Sequence, residues 1–180
     1  MSSTCLVASL PDRNAASVVL ADLKSLGFPI ENFSVVQKLT SLASGGVQKS
    51  GIEDLCSQWS RTDRVFDGLW GVFFSGIICS LRSVAPISVT GYLAGMLIAS
   101  NHVWKTSHCC CQLDQTLSEV GLVEGNIADS AEALNMGKTL LIGVGDVENS
   151  ASTISMAVKA ATIAVSYYAE EPTHVVDAPF

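Results

Sequence analysis

Hydrophobic and polar positions at the beginning of the chain predict a strand, a helix and a second strand. An apolar run predicts the first strand at about residues 4–10. The following segment has apolar residues on one helical face, namely Ala16, Val19, Leu20, Leu23 and Leu26. Asp12 is placed to cap this helix and Gly27 to end it. The second strand begins at Phe33, and because Val36 breaks the alternation we expect burial on both faces.

The end of the chain repeats this pattern. Residues 138–144 form an apolar run that predicts a strand, and residues 162–168 are rich in β-branched and aromatic side chains. The segment between them has helical spacing, with Ala151, Ile154, Val158 and Ala161 on one face. Two strand–helix–strand units predict an α+β fold with a ferredoxin-like split βαβ sheet. We therefore expect residues 1–39 and 138–170 to form one domain, followed by a tail at 171–180.

Residues 40–137 are predicted to be a long helical insertion in that domain. Its centre, residues 65–104, carries only Asp67 and Arg82 as charges. We expect an apolar helical hairpin there, with charge-free arms at 68–81 and 83–104 and a turn at residues 82–86, because Pro86 disfavours continued helix. A helix of 22 residues spans about 33 Å, close to the roughly 30 Å of a bilayer core.

Two short helices are predicted after the hairpin. Leu113, Leu117 and Val120 share a stripe that ends at Gly121. Asn126 is placed to cap the next helix, which ends at Gly137.

Small residues recur along both hairpin arms and predict close helix packing in the manner of a glycine zipper. The small positions are Gly68, Gly71, Ser75, Gly76, Cys79, Gly91, Gly95 and Ala99. The bulky positions expected to take part in assembly are Leu69, Trp70, Phe73, Phe74, Tyr92 and Trp104. This apolar surface has three possible covers: the rest of the same molecule, other copies of it, or lipid.

Composition narrows the functional classes. The 180 residues include 10 Lys and Arg against 17 Asp and Glu, and 48% are hydrophobic while 15% are charged. Such a chain is too apolar for a disordered protein and too poor in basic residues for a nucleic-acid-binding protein. The beginning of the sequence lacks a basic segment and a long apolar run, so we expect a cytoplasmic location, with membrane association as the alternative.

Candidate chemistry is sparse. His102, His108 and Cys111 are weak candidates for metal ligands, but adjacent Cys side chains on a helix point about 100° apart and do not converge on one ion. Small apolar Cys residues at a helix contact are the favoured interpretation. No cofactor, no resident metal and no catalytic residue is expected.

The run from Phe66 to Gly76, Phe-Asp-Gly-Leu-Trp-Gly-Val-Phe-Phe-Ser-Gly, is followed by Pro86 and a second arm rich in Gly and Ala. It resembles the glycine-rich core of bacterial general-stress, or heat-induced stress, domain proteins. Residues 23–28, 33–36, 117–122 and 133–142 resemble flanking segments of that family, and the resemblance covers about residues 4–169. It implies a stress-response role and carries no catalytic residues with it. The three consecutive cysteines, Cys109, Cys110 and Cys111, and residues 123–125 depart from the family pattern.

These features predict a non-enzymatic, structural, self-associating stress-response protein whose hairpin drives homo-oligomer or larger assembly. Its expected partner is a second copy of itself. One alternative is a membrane-associated stress protein that inserts the hairpin into the bilayer. The other is a small-ligand sensor domain, which rests on analogy of fold alone.

Overall fold

In the part of the chain that the structure describes, seven strands form one sheet, which joins the two ends of the chain to its middle. The structure, a computed structural model, describes residues 2–38, 77–82, 84–99, 111–147, 149–158 and 162–169. The strands are β1 (Ser2–Leu10), β2 (Phe33–Lys38), β3 (Ile77–Leu81), β4 (Val84–Gly91), β5 (Cys111–Gln112), β6 (Thr139–Gly145) and β7 (Thr162–Ala169). The helices are α1 (Arg13–Ser25), α2 (Tyr92–Ala99), α3 (Leu113–Glu119), α4 (Glu124–Asn135) and α5 (Ser150–Ala157).

The strand order is β5-β3-β4-β2-β6-β1-β7. Six strands pair antiparallel, and the two-residue β5 adds to β3 in parallel. Because β6 pairs antiparallel with both β1 and β2, those two strands run parallel to each other on either side of it. In the same way β6 and β7 run parallel on either side of β1. The predicted α+β class is confirmed.

Both faces of the sheet are covered by helices. On one face, Leu6 and Phe33 pack with α1 and α5 in a buried cluster that includes Leu141 of β6. On the other face, Leu140 and Ile142 of the same strand belong to a second cluster with α2, α3 and α4. The predicted burial of both faces of the second strand is confirmed, since Val35 lies in the first cluster and Val36 in the second.

The predicted helical hairpin over residues 65–104 is wrong at Ile77–Leu81 and Val84–Gly91, which are strands, whereas Tyr92–Ala99 is helical as predicted. Residues of both arms form strands, β3 and β4, which pair with each other across a turn at Arg82. The segment 84–91 is rich in β-branched residues, which favour strands, and β4 finds a partner in β2. Ile87 and Val89 enter the core, whereas the buried hydroxyls of Ser88 and Thr90 donate hydrogen bonds to carbonyl oxygens of β2.

The described strands of residues 77–91 also concern the predicted helical insertion at residues 40–137. Residues 77–91 fall within the predicted helical insertion, yet they extend the sheet that β1, β2, β6 and β7 form. Of the second arm, only Tyr92–Ala99 is helical in the described residues. The later helices lie close to their predicted positions, but α4 begins at Glu124, so Asn126 falls inside it and not at its cap.

The passage from β4 to α2 depends on a close approach of two backbones. Gly91 has φ +89° and pairs with Ser34 of β2. A Cβ atom at Gly91 would lie 2.3 Å from the carbonyl oxygen of Phe33. Two residues on, the Leu93 N–H donates a 2.8 Å hydrogen bond to the buried Ser34 hydroxyl and so satisfies a donor at the beginning of α2.

Gly91 and Gly95 should respond in opposite ways to substitution by alanine. Gly91→Ala is expected to lower the free energy of unfolding by at least about 2 kcal/mol, through its positive φ and the clash with Phe33. Gly95 is exposed on α2, and a Cβ atom added there would meet nothing within 4 Å, so Gly95→Ala should raise stability by about 0.5–1 kcal/mol. Urea denaturation measures both, and equal losses in the two variants would instead support the predicted zipper.

Candidate functional site at the sheet edge

Five of the residues predicted to form an assembly seam fall in the part of the chain that the structure describes, and these five do not share one helical face. Cys79 is buried in β3, Gly91 ends β4, Tyr92 is half-buried at the start of α2 and Gly95 is exposed on that helix. Ala99 is the last residue of α2. Because Cys79 and Gly91 lie in strands, their spacing does not place them on a helix with the other small residues. The remaining predicted positions lie outside the described residues: Gly68, Leu69, Trp70, Gly71, Phe73, Phe74, Ser75, Gly76 and Trp104.

Of the weak metal candidates, Cys111 lies in β5 directly beside Cys79 of β3. His102 and His108 lie outside the described residues. Within the described residues, no three His, Cys, Asp or Glu side chains are grouped in a way that could hold a metal ion.

Cys5 is the cysteine whose burial determines the protonation of its thiol. It is fully buried in β1, and burial raises the pKa of its thiol from 9.0 to about 12. The thiolate is the reactive form of cysteine, so a thiol that stays protonated at neutral pH is a packing group and not a nucleophile.

Arg82 forms a charged cluster at the turn between β3 and β4. Its backbone N–H donates a 2.9 Å hydrogen bond to Oδ2 of Asp114, and its guanidinium pairs with the carboxylates of Asp114 and Glu124. The hydrogen bond to Glu124 raises the pKa of the Arg82 guanidinium. The cluster therefore ties the turn to the first turns of α3 and α4, which is a structural task.

The most unusual feature of the described sheet is the outer edge of β7. This strand pairs with β1 over eight consecutive residue pairs, from Ser2 opposite Ala169 to Ser9 opposite Thr162, with no shift of register. Within the described part of the chain, β7 ends the sheet, and its outer backbone groups have no strand partner. The opposite end of the sheet is β5, which is only two residues long.

Natural edge strands are usually kept short, or carry charged residues, proline or a bulge that prevents pairing with another strand. β7 has the sequence Thr-Ile-Ala-Val-Ser-Tyr-Tyr-Ala, which contains no charge and no proline. Ile163 and Val165 pack against the cluster beneath α1 and α5 and hold the strand in position. The edge of β7 thus lacks the charges, the proline and the short length that usually prevent an edge strand from pairing with another strand.

The sequence predicts β7 as a strand but not its place at the end of the sheet. Ends of sheets are set by which strands pair over long distances, and no local pattern records that pairing. The absence of charge in β7 does not indicate an edge position either, because a strand buried in the middle of a sheet is also free of charge.

Comparison of the chain with family models, curated proteins and solved structures finds no match. The resemblance to general-stress domain proteins therefore stays a prediction. Among the residues that the structure describes, no helix combines the length and apolar character needed to cross a membrane.

The raised pKa of Cys5 predicts a pH dependence of stability. Above pH 9 the thiol ionises in the unfolded chain but stays protonated in the folded one, so its contribution to stability is complete below pH 9 and is lost as the pH rises toward 12. Between pH 8 and pH 10 the wild type should lose about 1 kcal/mol more than Cys5→Ala. Urea denaturation at both pH values tests this, and parallel losses in the two proteins would contradict it.

Proposed function

We propose that this chain is a non-enzymatic, self-associating structural protein, and that two copies pair through their β7 strands. The observation that supports the proposal is an edge strand of eight residues without charge, proline or register shift. Pairing would satisfy the outer N–H and C=O groups of both strands and would extend the sheet across the two copies.

A second copy is the partner that fits this edge best. An antiparallel pair of identical strands is related by a two-fold axis, so one strand is complementary to itself without any further change in sequence. The chain carries a net charge of −7, which opposes the approach of two copies over most of their surface. β7 offers a contact in which no like charges face each other across the strands.

We further propose that β1, β2, β6 and β7 with α1 and α5 form a ferredoxin-like unit. Two observations support this. The four strands lie in the order β2-β6-β1-β7, with the two strand–helix–strand units interleaved, and both connecting helices contribute to one cluster on one face. In this arrangement β3, β4 and β5 extend the sheet beyond β2, and the edge at β7 is the long one that is left.

Self-association is thereby assigned to β7 and not to the predicted hairpin. Leu93 and Leu97 of the second predicted arm are almost fully buried in the core of their own molecule, as is Ile87 before them. These side chains need no cover from a second copy or from lipid. A role in stress response depends on the family resemblance alone, and a cytoplasmic location is proposed with it.

A charge in the middle of β7 tests the proposal. Ser166 lies near the centre of the strand, so in Ser166→Lys two ammonium groups would meet near the two-fold axis. We expect the dissociation constant of the dimer, measured by sedimentation equilibrium, to rise at least tenfold. Ala21→Lys places the same charge on the exposed surface of α1 and is the matched control. Circular dichroism shows whether each variant is folded.

Amide hydrogen exchange of the wild type provides a test without substitution. In a monomer, alternate amides of β7 point outward and exchange quickly, while the others are protected by β1. In a dimer both sets are protected, so the outward set should slow as protein concentration rises. A monomer at all concentrations, or a dimer whose β7 amides remain unprotected, would refute pairing through this strand.

A further inference from the structure

A cavity of about 320 Å³ lies between α4 and the neighbouring strands β1, β6 and β7. It lies beside the described core and involves none of the residues of the predicted hairpin. Cavities that bind small molecules in proteins begin at about this volume. The lining residues that bear on its chemistry are Val7, Ser9, Asp129, Glu132, Lys138, Leu140 and Ala164.

The floor of the cavity is apolar and contains one unsatisfied hydroxyl group. Val7 and Leu140 are buried and Ala164 is half-buried, so the sheet presents a small apolar surface. Ser9 lies beside Leu140 in the β1–β6 pairing. Its Oγ is buried and has no hydrogen-bond partner among the described residues. Buried hydroxyl groups nearly always have a partner, so Ser9 points to a ligand that supplies one.

The mouth of the cavity carries charges of both signs. Asp129 and Glu132 lie on neighbouring positions of the same face of α4, and both are exposed. Lys138, half-buried, directly precedes β6. Among the described residues, Lys138 forms no ion pair with Asp129 or Glu132. The ion pairs found there join Arg82 to Asp114 and Glu124. The mouth thus holds an ammonium and two carboxylates that have no ionic partner within the described chain.

We propose that this cavity binds a small zwitterion with an apolar body, of the class of free α-amino acids with apolar side chains. The ligand's carboxylate pairs with Lys138 and accepts a hydrogen bond from Ser9. Its ammonium pairs with Asp129 and Glu132, and its side chain covers Val7, Leu140 and Ala164. A purely apolar ligand would leave the buried Ser9 hydroxyl without a hydrogen-bond partner.

The two ends of the ligand can be tested separately with three probes of similar size. L-Leucine carries both charges, 3-methylbutylamine lacks the carboxylate, and 4-methylpentanoate lacks the ammonium. In calorimetric titrations of the full chain, we expect leucine to bind at least tenfold more tightly than either of the other two. Equal binding of the amine and of leucine would overturn the proposal, as would the absence of saturable binding by leucine, methionine and phenylalanine.

Substitutions connect each charge to its partner on the ligand. Lys138→Met should lower leucine affinity at least tenfold and leave the amine unchanged. The double variant Asp129→Asn with Glu132→Gln should lower leucine affinity to a similar extent and leave 4-methylpentanoate unchanged. Lys24→Met and Glu119→Gln, at exposed positions outside the cavity lining, are the matched controls. Leucine binding that survives both cavity variants would place the ligand elsewhere.

Ser9→Ala separates a binding role from a structural one. The substitution removes a buried oxygen that has no described partner, so the free protein should be at least as stable as the wild type. Its affinity for leucine should nevertheless fall severalfold, because the carboxylate loses a donor. A variant that binds leucine as tightly as the wild type would contradict the placement of the carboxylate. Ligand binding in the cavity does not depend on the pairing of two copies through β7. The calorimetric titrations measure only the binding, so their failure would leave the proposed function untouched.

Discussion

The central constraint on this fold is that β6 is buried on both faces. Its backbone is hydrogen-bonded to β1 on one side and to β2 on the other, and its side chains alternate between two apolar clusters. A strand in this position requires two layers of helices, because an open face would expose either Leu141 or its neighbours Leu140 and Ile142 to water. The ends of the chain supply α1 and α5 for one layer. The other layer comes from α2, α3 and α4 in the middle of the chain.

The ends of the chain are predicted well because local signals define them. The N–H of Ala15 donates to the Asp12 side chain, and Gly27, with φ +82°, follows the helix as its spacing indicates. The middle is predicted poorly because a charge-free apolar run is compatible with a buried helix or a buried strand. The deciding interaction is the pairing of β4 with β2, some 50 residues earlier in the chain. From spacing alone, Gly91 is predicted to allow close packing of two helices. In the structure, glycine is required there by the positive φ and by the nearby carbonyl oxygen of Phe33.

Neither the edge of β7 nor the cavity beneath α4 could be found by motif. The edge exists because the chain places its last described strand at the end of the sheet, which depends on topology. The cavity combines residues from β1, α4, β6 and β7, which are far apart in sequence. Only the folded backbone brings Ser9 close to Lys138. Both features nevertheless follow from ordinary chemistry once the strand order is known.

The direct pairing of β2 with β4 has a further consequence for insertions and deletions. Successive side chains of β2 belong to different apolar clusters, Val35 to the one with α1 and α5 and Val36 to the one with α2, α3 and α4. Because side chains of a strand alternate between the two faces of a sheet, one residue inserted before them would send each side chain to the wrong cluster. Evolution should therefore preserve the length of this strand more strictly than the identity of its apolar side chains.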